Sequence, residues 1–383
     1  MPKILIVLNN LSIGGAENQL MQLICARPPF MQGTDVEVLT VGHPPRDEST
    51  FRGQLKAQGV KVSTVARKDH SFPLFLKELT LTVKRARPDI VHTLLPSSAG
   101  TWGRLAAILA GVPVIFHSDL TLYPQGLQRV NHVLRPFLDL QTKRFLPNAD
   151  TIAASIVRKG VPPEKIEVIP CGVNLERFLP GKVASRRAEW GVPNGAVVAG
   201  FLGRFAPVKR LDLLLDAVLA LPEVERPDYL VLGGEGETMP VVRSRVAAHG
   251  WLKERCRILG VVTDPPGFLA SIDYLVLPSD SEGLPNVLLE TMASAKTMIA
   301  SRVADVPTLV EGVGLLMEPG NRASLEAAFR NMRELGASGR AQLGEKARQR
   351  VLEHYDINRV ATRFWQAHLE LLDIEEPRAN AAA

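Results

Sequence analysis

Residues 274–300 read YLVLPSDSEGLPNVLLETMASAKTMIA, and this stretch decides the fold. Tyr274, Leu275, Val276 and Leu277 make a continuously apolar run that stops at Pro278-Ser279, the pattern of a strand buried on both faces. The polar loop Asp280, Ser281, Glu282, Gly283 follows. A helix then begins, with Pro285 suited to its first turn. Residues 297–300 are apolar again and read as another strand. Strand, helix and strand in this order imply a parallel sheet with right-handed crossovers.

The loop of that unit can carry chemistry. Backbone N–H groups at the helix start, near Gly283 and Leu284, have no intrahelical acceptor and form an anion site, and glycine lets a phosphate come close. Glu282 and Glu290 stand eight residues apart, so both carboxylates can face the space above the strand ends. A carboxylate accepts two hydrogen bonds from a vicinal diol, which suits a ribose or a sugar ring. The plainer alternative makes Glu290 a solvated helix residue and Glu282 an acid near the helix cap.

The same rhythm extends outward. In the first half, residues 4–8, 36–41, 60–65, 89–92, 114–117, 151–154 and 166–169 read as strands. Helices are expected over 16–26, 51–58, 74–87, 100–110 and 130–145. Between about 173 and 192 the rhythm pauses at Pro180, Gly181, Gly191 and Pro193. It restarts with strands over 197–202, 229–232, 257–259, 274–277 and 297–300, and helices over 211–221, 286–293, 324–335, 339–354 and 360–372. A chain of 383 residues suits two α/β domains. The expected division is 1–175, a linker over 176–192, and 193–354, followed by a helical segment over 355–375. Residues 375–383 read as a frayed tail.

Composition narrows the function. With 46% hydrophobic and 22% charged residues the chain reads as a soluble globular protein. No run approaches the roughly 18 apolar residues of a membrane span, and residues 4–8 fit a strand better than a secretory core. Cys25, Cys171 and Cys256 lie far apart without metal-ligand spacing, which suits a reducing cytosol. Residues 1–180 hold 21 Lys+Arg and 14 Asp+Glu, a net +7, and the remainder holds 24 and 26, a net −2, giving the overall +5. Solvated lysines and arginines are one reading. The other is a surface that meets anionic lipid headgroups or an anionic acceptor, through clusters such as Lys84-Arg85-Ala86-Arg87, Lys143-Arg144 and Arg158-Lys159. Nucleic acid is disfavoured, because basic and aromatic residues do not interleave.

Further motifs stand in a definite order. Gly14-Gly15-Ala16-Glu17 follows the first strand. Asp89-Ile90-Val91-His92 comes next, then Gly111-Val112-Pro113-Val114 leading to His117, which ends a strand. Val168 to Asn174 (VIPCGVN) with Phe178 precede the linker. Gly203-Arg204 with Lys209 follow the first strand of the second half. Gly234-Glu235-Gly236 lacks the third glycine of a dinucleotide fingerprint, which argues against an oxidoreductase. The set continues through Leu259-Gly260 and Glu282 to Glu290, and closes on His354-Tyr355-Asp356 and a helix.

In this order the motifs resemble the retaining glycosyltransferases of family 4, with Glu282 and Glu290 as their E-x7-E pair. The resemblance covers nearly the whole chain. It implies the GT-B fold, two Rossmann-like doubly wound parallel-sheet domains facing across a cleft, with the last helix crossing back to the first domain. It implies a nucleotide-diphosphate sugar as donor, a sugar, lipid-linked or lipopolysaccharide acceptor, and no cofactor. Arg204 and Lys209 would neutralise charge on the leaving diphosphate. Glu282 would contact the donor sugar and Glu290 the nucleotide ribose. Gly203 would shape the loop that carries Arg204, and Gly14 and Gly15 would let a loop approach donor and acceptor. His117 would stand near the transferring sugar, although a packed structural histidine is the simpler reading. Asp280-Ser281-Glu282 has the spacing of a D-x-D metal motif, but it precedes a phosphate-type helix start, so no essential metal is expected. Two stretches depart from the family pattern: Ala295-Lys296-Thr297 replaces a glycine-proline turn, and Ala304-Asp305-Val306-Pro307-Thr308 replaces Gly-Gly-x-Pro-Glu. On the same fold, a nucleotide-sugar-binding protein with a decayed site and a nucleotide-sugar epimerase remain alternatives.

Overall fold

The computed structural model describes residues 2–11, 14–41, 51–66, 71–95, 97–121 and 129–372. The expected tail at 375–383 lies outside them. The chain divides into two compact units, Met1–Gly172 together with Ile357–Ala383, and Val173–Asp356.

The first unit is a six-stranded parallel sheet: β1 (Lys3–Leu8), β2 (Asp35–Thr40), β3 (Lys61–Thr64), β4 (Ile90–Leu94), β5 (Val114–Ser118) and β6 (Arg144–Phe145), in the order β3-β2-β1-β4-β5-β6. The second comprises β7 (Val198–Leu202), β8 (Tyr229–Gly233), β9 (Cys256–Gly260), β10 (Tyr274–Leu277), β11 (Thr297–Ser301) and β12 (Leu315–Met317), in the order β12-β11-β10-β7-β8-β9. Counted from its own first strand, the second sheet repeats the order of the first. In each, the winding reverses beside the first strand, between β1 and β4 and between β7 and β10. Ligands of doubly wound sheets bind outside the carboxyl ends of the strands at such points.

Burial explains the continuous apolar runs. Ile4, Ile6 and Leu8 point into a core shared with Leu20, Ile24 and Trp365, whereas Leu5 and Val7 point into another with Phe75, Leu79 and Ala106. Both faces of β1 are therefore covered, so the alternation of a half-exposed strand is absent.

Three expected elements differ. Residues 151–154 lie in a helix, Asp150–Arg158, whose Ile152 and Ile156 sit four residues apart in one small core with Phe145. The short apolar stretch read as a strand was one turn of that stripe. The helix expected over 130–145 ends at Gln141, and Arg144–Phe145 then pair with β5. Residues 166–169 add only a single bridge, Ile166 to Phe145. Helices at Met239–Ala248 and Pro265–Ser271 had no sequence forecast. The first buries only Val242, and the second opens with Pro-Pro-Gly and is capped by Asp264, which accepts from the Gly267 N–H at 3.1 Å. Residues 176–192 pack on the second unit: Phe178 and Val192 are buried, and Arg187 donates to Asp273 at 2.8 Å.

The helix Ile357–Leu369 completes the first unit by covering the helix Gly15–Cys25, and Trp365 Nε1 donates to the Leu23 carbonyl at 3.0 Å. Its deepest contact is a chain of imidazoles. His368 Nδ1 lies 2.7 Å from the Phe364 carbonyl, His368 Nε2 lies 2.8 Å from His92 Nδ1, and His92 Nε2 lies 2.8 Å from Ser118 Oγ. A carbonyl only accepts, so the His368 proton sits on Nδ1 and its Nε2 accepts from His92. The neutral His92 then accepts from the Ser118 hydroxyl. A second proton on His368 would force His92 to move its own proton to Nε2 and donate to Ser118.

Burial lowers the pKa of His368 from 6.5 to about 4, and that of His92 well below its ordinary value. The folded state thus binds fewer protons than the unfolded chain, so the stability this pair contributes is present above about pH 6.5 and is lost as the pH falls toward 4. We expect the His368 contribution to fall by about 2 kcal/mol between pH 7 and pH 5. Denaturant unfolding at a series of pH values checks this. A His368→Leu variant that keeps the full acid slope would show that the chain of imidazoles is not its source.

Candidate active site

Two loops at the switch point of the second sheet are joined. The loop after β7 carries Gly203 and Arg204, then a single turn at Pro207–Lys209 that ends on Arg210 in the left-handed region, φ 52°. The loop after β10 carries Asp280, Ser281, Glu282, Gly283 and Leu284. The Asp280 N–H donates to the Val208 carbonyl at 2.9 Å, Lys209 Nζ donates to Glu282 Oε1 at 2.6 Å, and Arg210 Nη1 donates to Asp280 Oδ1 at 3.0 Å.

Glycines set the floor of this site. A Cβ on Gly234, at φ 132°, would stand 1.9 Å from the Gly203 carbonyl oxygen, and one on Gly236 would stand 2.4 Å from the Phe205 carbonyl oxygen. Only glycine permits this approach. The Gly-Glu-Gly stretch therefore supports the loop bearing Arg204, and the Phe205 N–H donates to the Glu235 carbonyl at 2.8 Å.

Among the described residues Arg204 has no side-chain partner, and it is exposed. The helix Asn286–Ala293 begins just beyond Pro285, with Gly283 and Leu284 buried before it. Its fifth residue, Glu290, is buried. The structure thus brings Gly203, Arg204, Lys209, Glu282, Gly283, Leu284 and Glu290 to one edge of one sheet. The reading of the sequence missed Arg210, although it adjoins Lys209. It holds Asp280, the first acid of the D-x-D spacing, while Glu282 holds Lys209.

The remaining site residues belong to the first unit. Gly14 precedes the helix Gly15–Cys25, and Glu17 folds back over it: a Cβ on Gly14 would stand 2.4 Å from the Glu17 carboxylate. That carboxylate sits at a helix start, and burial raises its pKa. His117 is the last residue but one of β5 and is wholly buried. Its Nε2 lies 3.0 Å from Asp119 Oδ1, and its Nδ1 lies 2.8 Å from Thr93 Oγ1. Nδ1 also lies 3.1 Å from the Thr93 carbonyl, and a carboxylate and a carbonyl only accept, so each ring nitrogen faces an acceptor and neutral His117 carries its proton on one or the other. Burial lowers the pKa of His117, while the imidazole and the Arg135 guanidinium help hold Asp119 down at about 2. The chain continues through Arg135 and Asp139 to Arg104, all part of one buried ladder of alternating charge. Asp119, two residues beyond His117, was the available signal for this ladder.

At both departures from the family pattern the backbone is left-handed without glycine, with φ 52° at Ala295 and 44° at Ala304. An L-residue there costs roughly 1–2 kcal/mol, so the turns keep a glycine-type shape at the expense of local strain.

Residues 13–177 match the family described as Glycosyltransferase Family 4, and residues 196–334 match Glycosyl transferases group 1. The chain is 33% identical over 249 residues to the UDP-Gal:alpha-D-GlcNAc-diphosphoundecaprenol alpha-1,3-galactosyltransferase of Escherichia coli, covering 62% of this chain and 64% of that protein. A D-inositol 3-phosphate glycosyltransferase of Segniliparus rotundus is 29% identical and is covered over 62% of its length. The matches thus span less than two thirds of these two relatives. The putative glycosyltransferase EpsF of Bacillus subtilis is 28% identical, with 94% of this chain and 97% of that protein covered. In fold, the chain is similar to Anabaena Alr3699/HepE, solved with UDP and glucose, at TM-score 0.81 and 20% identity over 97% of this chain and 100% of that one. Two tandem sheets of one winding order, the motif order and these matches agree that the chain belongs to the group 1, family 4 glycosyltransferases and has their α/β GT-B fold.

Proposed function

We propose that the chain is a retaining glycosyltransferase that moves a hexose from a nucleotide-diphosphate sugar to an acceptor hydroxyl. The observation that carries this reading is Arg204, an exposed cation without a partner among the described residues, at the switch point where Lys209 and Glu282 are already paired. In this reading Glu290 takes the ribose, the Gly283-Leu284 backbone takes the phosphates, and Glu282 contacts the sugar. Gly203 lets the diphosphate come close, and Gly14 and Gly15 border the acceptor side, while His117, wholly buried against Asp119 and Thr93, keeps the packed role.

The proposed step is a front-face substitution. The bond from the anomeric carbon to the diphosphate oxygen breaks, the acceptor oxygen bonds to that carbon on the same face, and its proton passes to the departing diphosphate. Arg204 and Lys209 stabilise the charge that develops there. Two cations at that point fulfil the task of a divalent ion, so no essential metal is proposed, and turnover should persist in EDTA.

Relatives support a cell-surface role. The Escherichia coli relative acts, by its name, on a lipid-linked sugar, and a neighbour in fold is a lipopolysaccharide outer core galactosyltransferase. We place the reaction on the cytoplasmic side of an anionic membrane, with a lipid-linked or lipopolysaccharide sugar as acceptor. The helix Arg129–Gln141 supports this: Val133, Phe137 and Leu140, spaced along one face, are 78%, 46% and 70% exposed. Its acid, Asp139, is turned inward onto Arg104 and Arg135, while Lys143, Arg158 and Lys159 are exposed in the same unit. An apolar stripe beside basic side chains suits the boundary of anionic headgroups and acyl chains. Among the described residues no helix is long and apolar enough to cross a membrane.

UDP at a hundredfold excess over its Kd should stabilise the protein by about 2.7 kcal/mol, and Glu290→Ala should abolish the shift. GDP and ADP serve as alternatives, and a protein indifferent to all three would favour a decayed site. Arg204→Ala or Lys209→Ala should lower kcat at least about a hundredfold. Wild-type rates in both would rule out their roles. On vesicles containing phosphatidylglycerol, Phe137→Glu with Leu140→Glu should weaken sedimentation about tenfold or more relative to the wild type, and added salt should weaken the wild type. Binding indifferent to both changes would argue against the membrane surface.

A further inference from the structure

The first unit contains a small cavity of about 30 Å3 at the carboxyl edge of its sheet, between the helix Gly15–Cys25 and the segments that follow β5 and β6. Its walls are mainly apolar, among them Leu20, Leu146 and Phe364. Two amides break the apolar lining. Gln19 is 6% exposed, and among the described residues neither its Nε2 nor its Oε1 has a hydrogen-bond partner. Asn148 is also 6% exposed; among the described residues its Oδ1 has no partner, and its Nδ2 reaches only Cys171 Sγ at 3.4 Å. Ser118, the hydroxyl end of the imidazole chain, lines the same space.

Buried polar groups are nearly always hydrogen-bonded, because an unmade bond forfeits the solvation that water gave. Three unpartnered amide atoms on one cavity therefore call for an occupant that both donates and accepts. Among the described residues no Lys, Arg, Asp or Glu lines the cavity, so an ion would be desolvated there without a counter-charge. The volume admits about two non-hydrogen atoms, since a single water needs roughly 10–15 Å3 on this measure. Waters would meet the polar atoms alone, whereas a two-atom arm of a ligand would also cover the apolar walls.

We infer that this cavity is a subsite for a neutral, hydroxymethyl-sized arm of the acceptor sugar, whose hydroxyl accepts from Gln19 Nε2 and donates to Gln19 Oε1 or Asn148 Oδ1. The carbon of that arm packs on the leucine walls. The subsite rests on the proposed transferase reading, which makes the first unit the acceptor side. It selects a neutral sugar and rejects one that carries a carboxylate at the same position. Gln19 would be a specificity residue, held in place because it lies on the buried face of its helix.

The test titrates the full chain with three probes, methyl α-glucoside, its 6-deoxy analogue and methyl α-glucuronoside, and follows saturation-transfer NMR. The neutral hydroxymethyl sugar should bind at least tenfold more tightly than either analogue. Gln19→Leu, which keeps the bulk and removes the amide, should erase that preference. It should also raise the melting temperature, because two unpartnered polar atoms leave the interior. Equal binding of the three sugars, no binding by the wild type, or a preference that survives Gln19→Leu would each overturn the subsite. A lowered melting temperature with no sugar binding would identify a cavity that holds only water, and would overturn it as well. UDP binding measured on the same samples separates the two readings: if UDP fails to bind while the sugar preference stands, the donor site is at fault and the subsite is not.

Discussion

The 2.6 Å bond between Lys209 and Glu282 joins the loops that leave two adjacent strands of the second sheet, and the rest of the candidate site is arranged around it. Parallel strands deliver both loops to the same edge. The backbone bond from Asp280 to Val208 and the Arg210–Asp280 pair then hold them together. With its neighbours satisfied in this way, Arg204 remains without a partner among the described residues. An anion arriving at that edge meets a guanidinium that need not first give up an internal carboxylate. The cost of preparing the site is met in folding, by glycine contacts such as Gly203 on Gly234.

The first unit uses the equivalent edge differently. There the carboxyl end of β5 holds a buried ladder of alternating charges, Asp119, Arg135, Asp139 and Arg104, with the neutral His117 beside Asp119. Burial favours the neutral form of the histidine at its end. Nearby, Gln19 and Asn148 carry polar atoms with no partner among the described residues. One sheet order therefore supports a charged edge in the second unit, and a neutral cavity beside a self-satisfied ladder in the first.

Much of this was legible in the sequence because both sheets are parallel. Strands covered on both faces write themselves as unbroken apolar runs, so Tyr274 to Leu277 and Ile4 to Leu8 were plain. Their loops then fell at the correct edge by topology alone. The helix Asp150–Arg158 was not legible, because four residues hold only one turn and its partner Phe145 belongs to an edge strand two residues long. Site residues were visible where a type and a spacing coincide, as in Glu282 and Glu290. Arg210 was invisible because its role comes from a partner 70 residues away, Asp280, and the ladder beyond Asp119 was hidden because its next member, Arg135, lies 16 residues further on. The unpartnered state of Gln19 has no sequence signature at all.

The division of the chain bears on the order in which it is made. The second unit is one continuous segment, Val173–Asp356, whereas the first needs Ile357 onward to be complete. On the ribosome, the first sheet therefore emerges early with the apolar face of Leu20, Leu23 and Ile24 uncovered, and waits while some 180 further residues are translated. Only when Phe364, Trp365 and His368 appear can that face close and the imidazole chain form. At ordinary elongation rates of about 5–20 residues per second this delay is on the order of ten seconds or more. During that interval the nascent first unit is the segment most exposed to aggregation and the natural client of a chaperone.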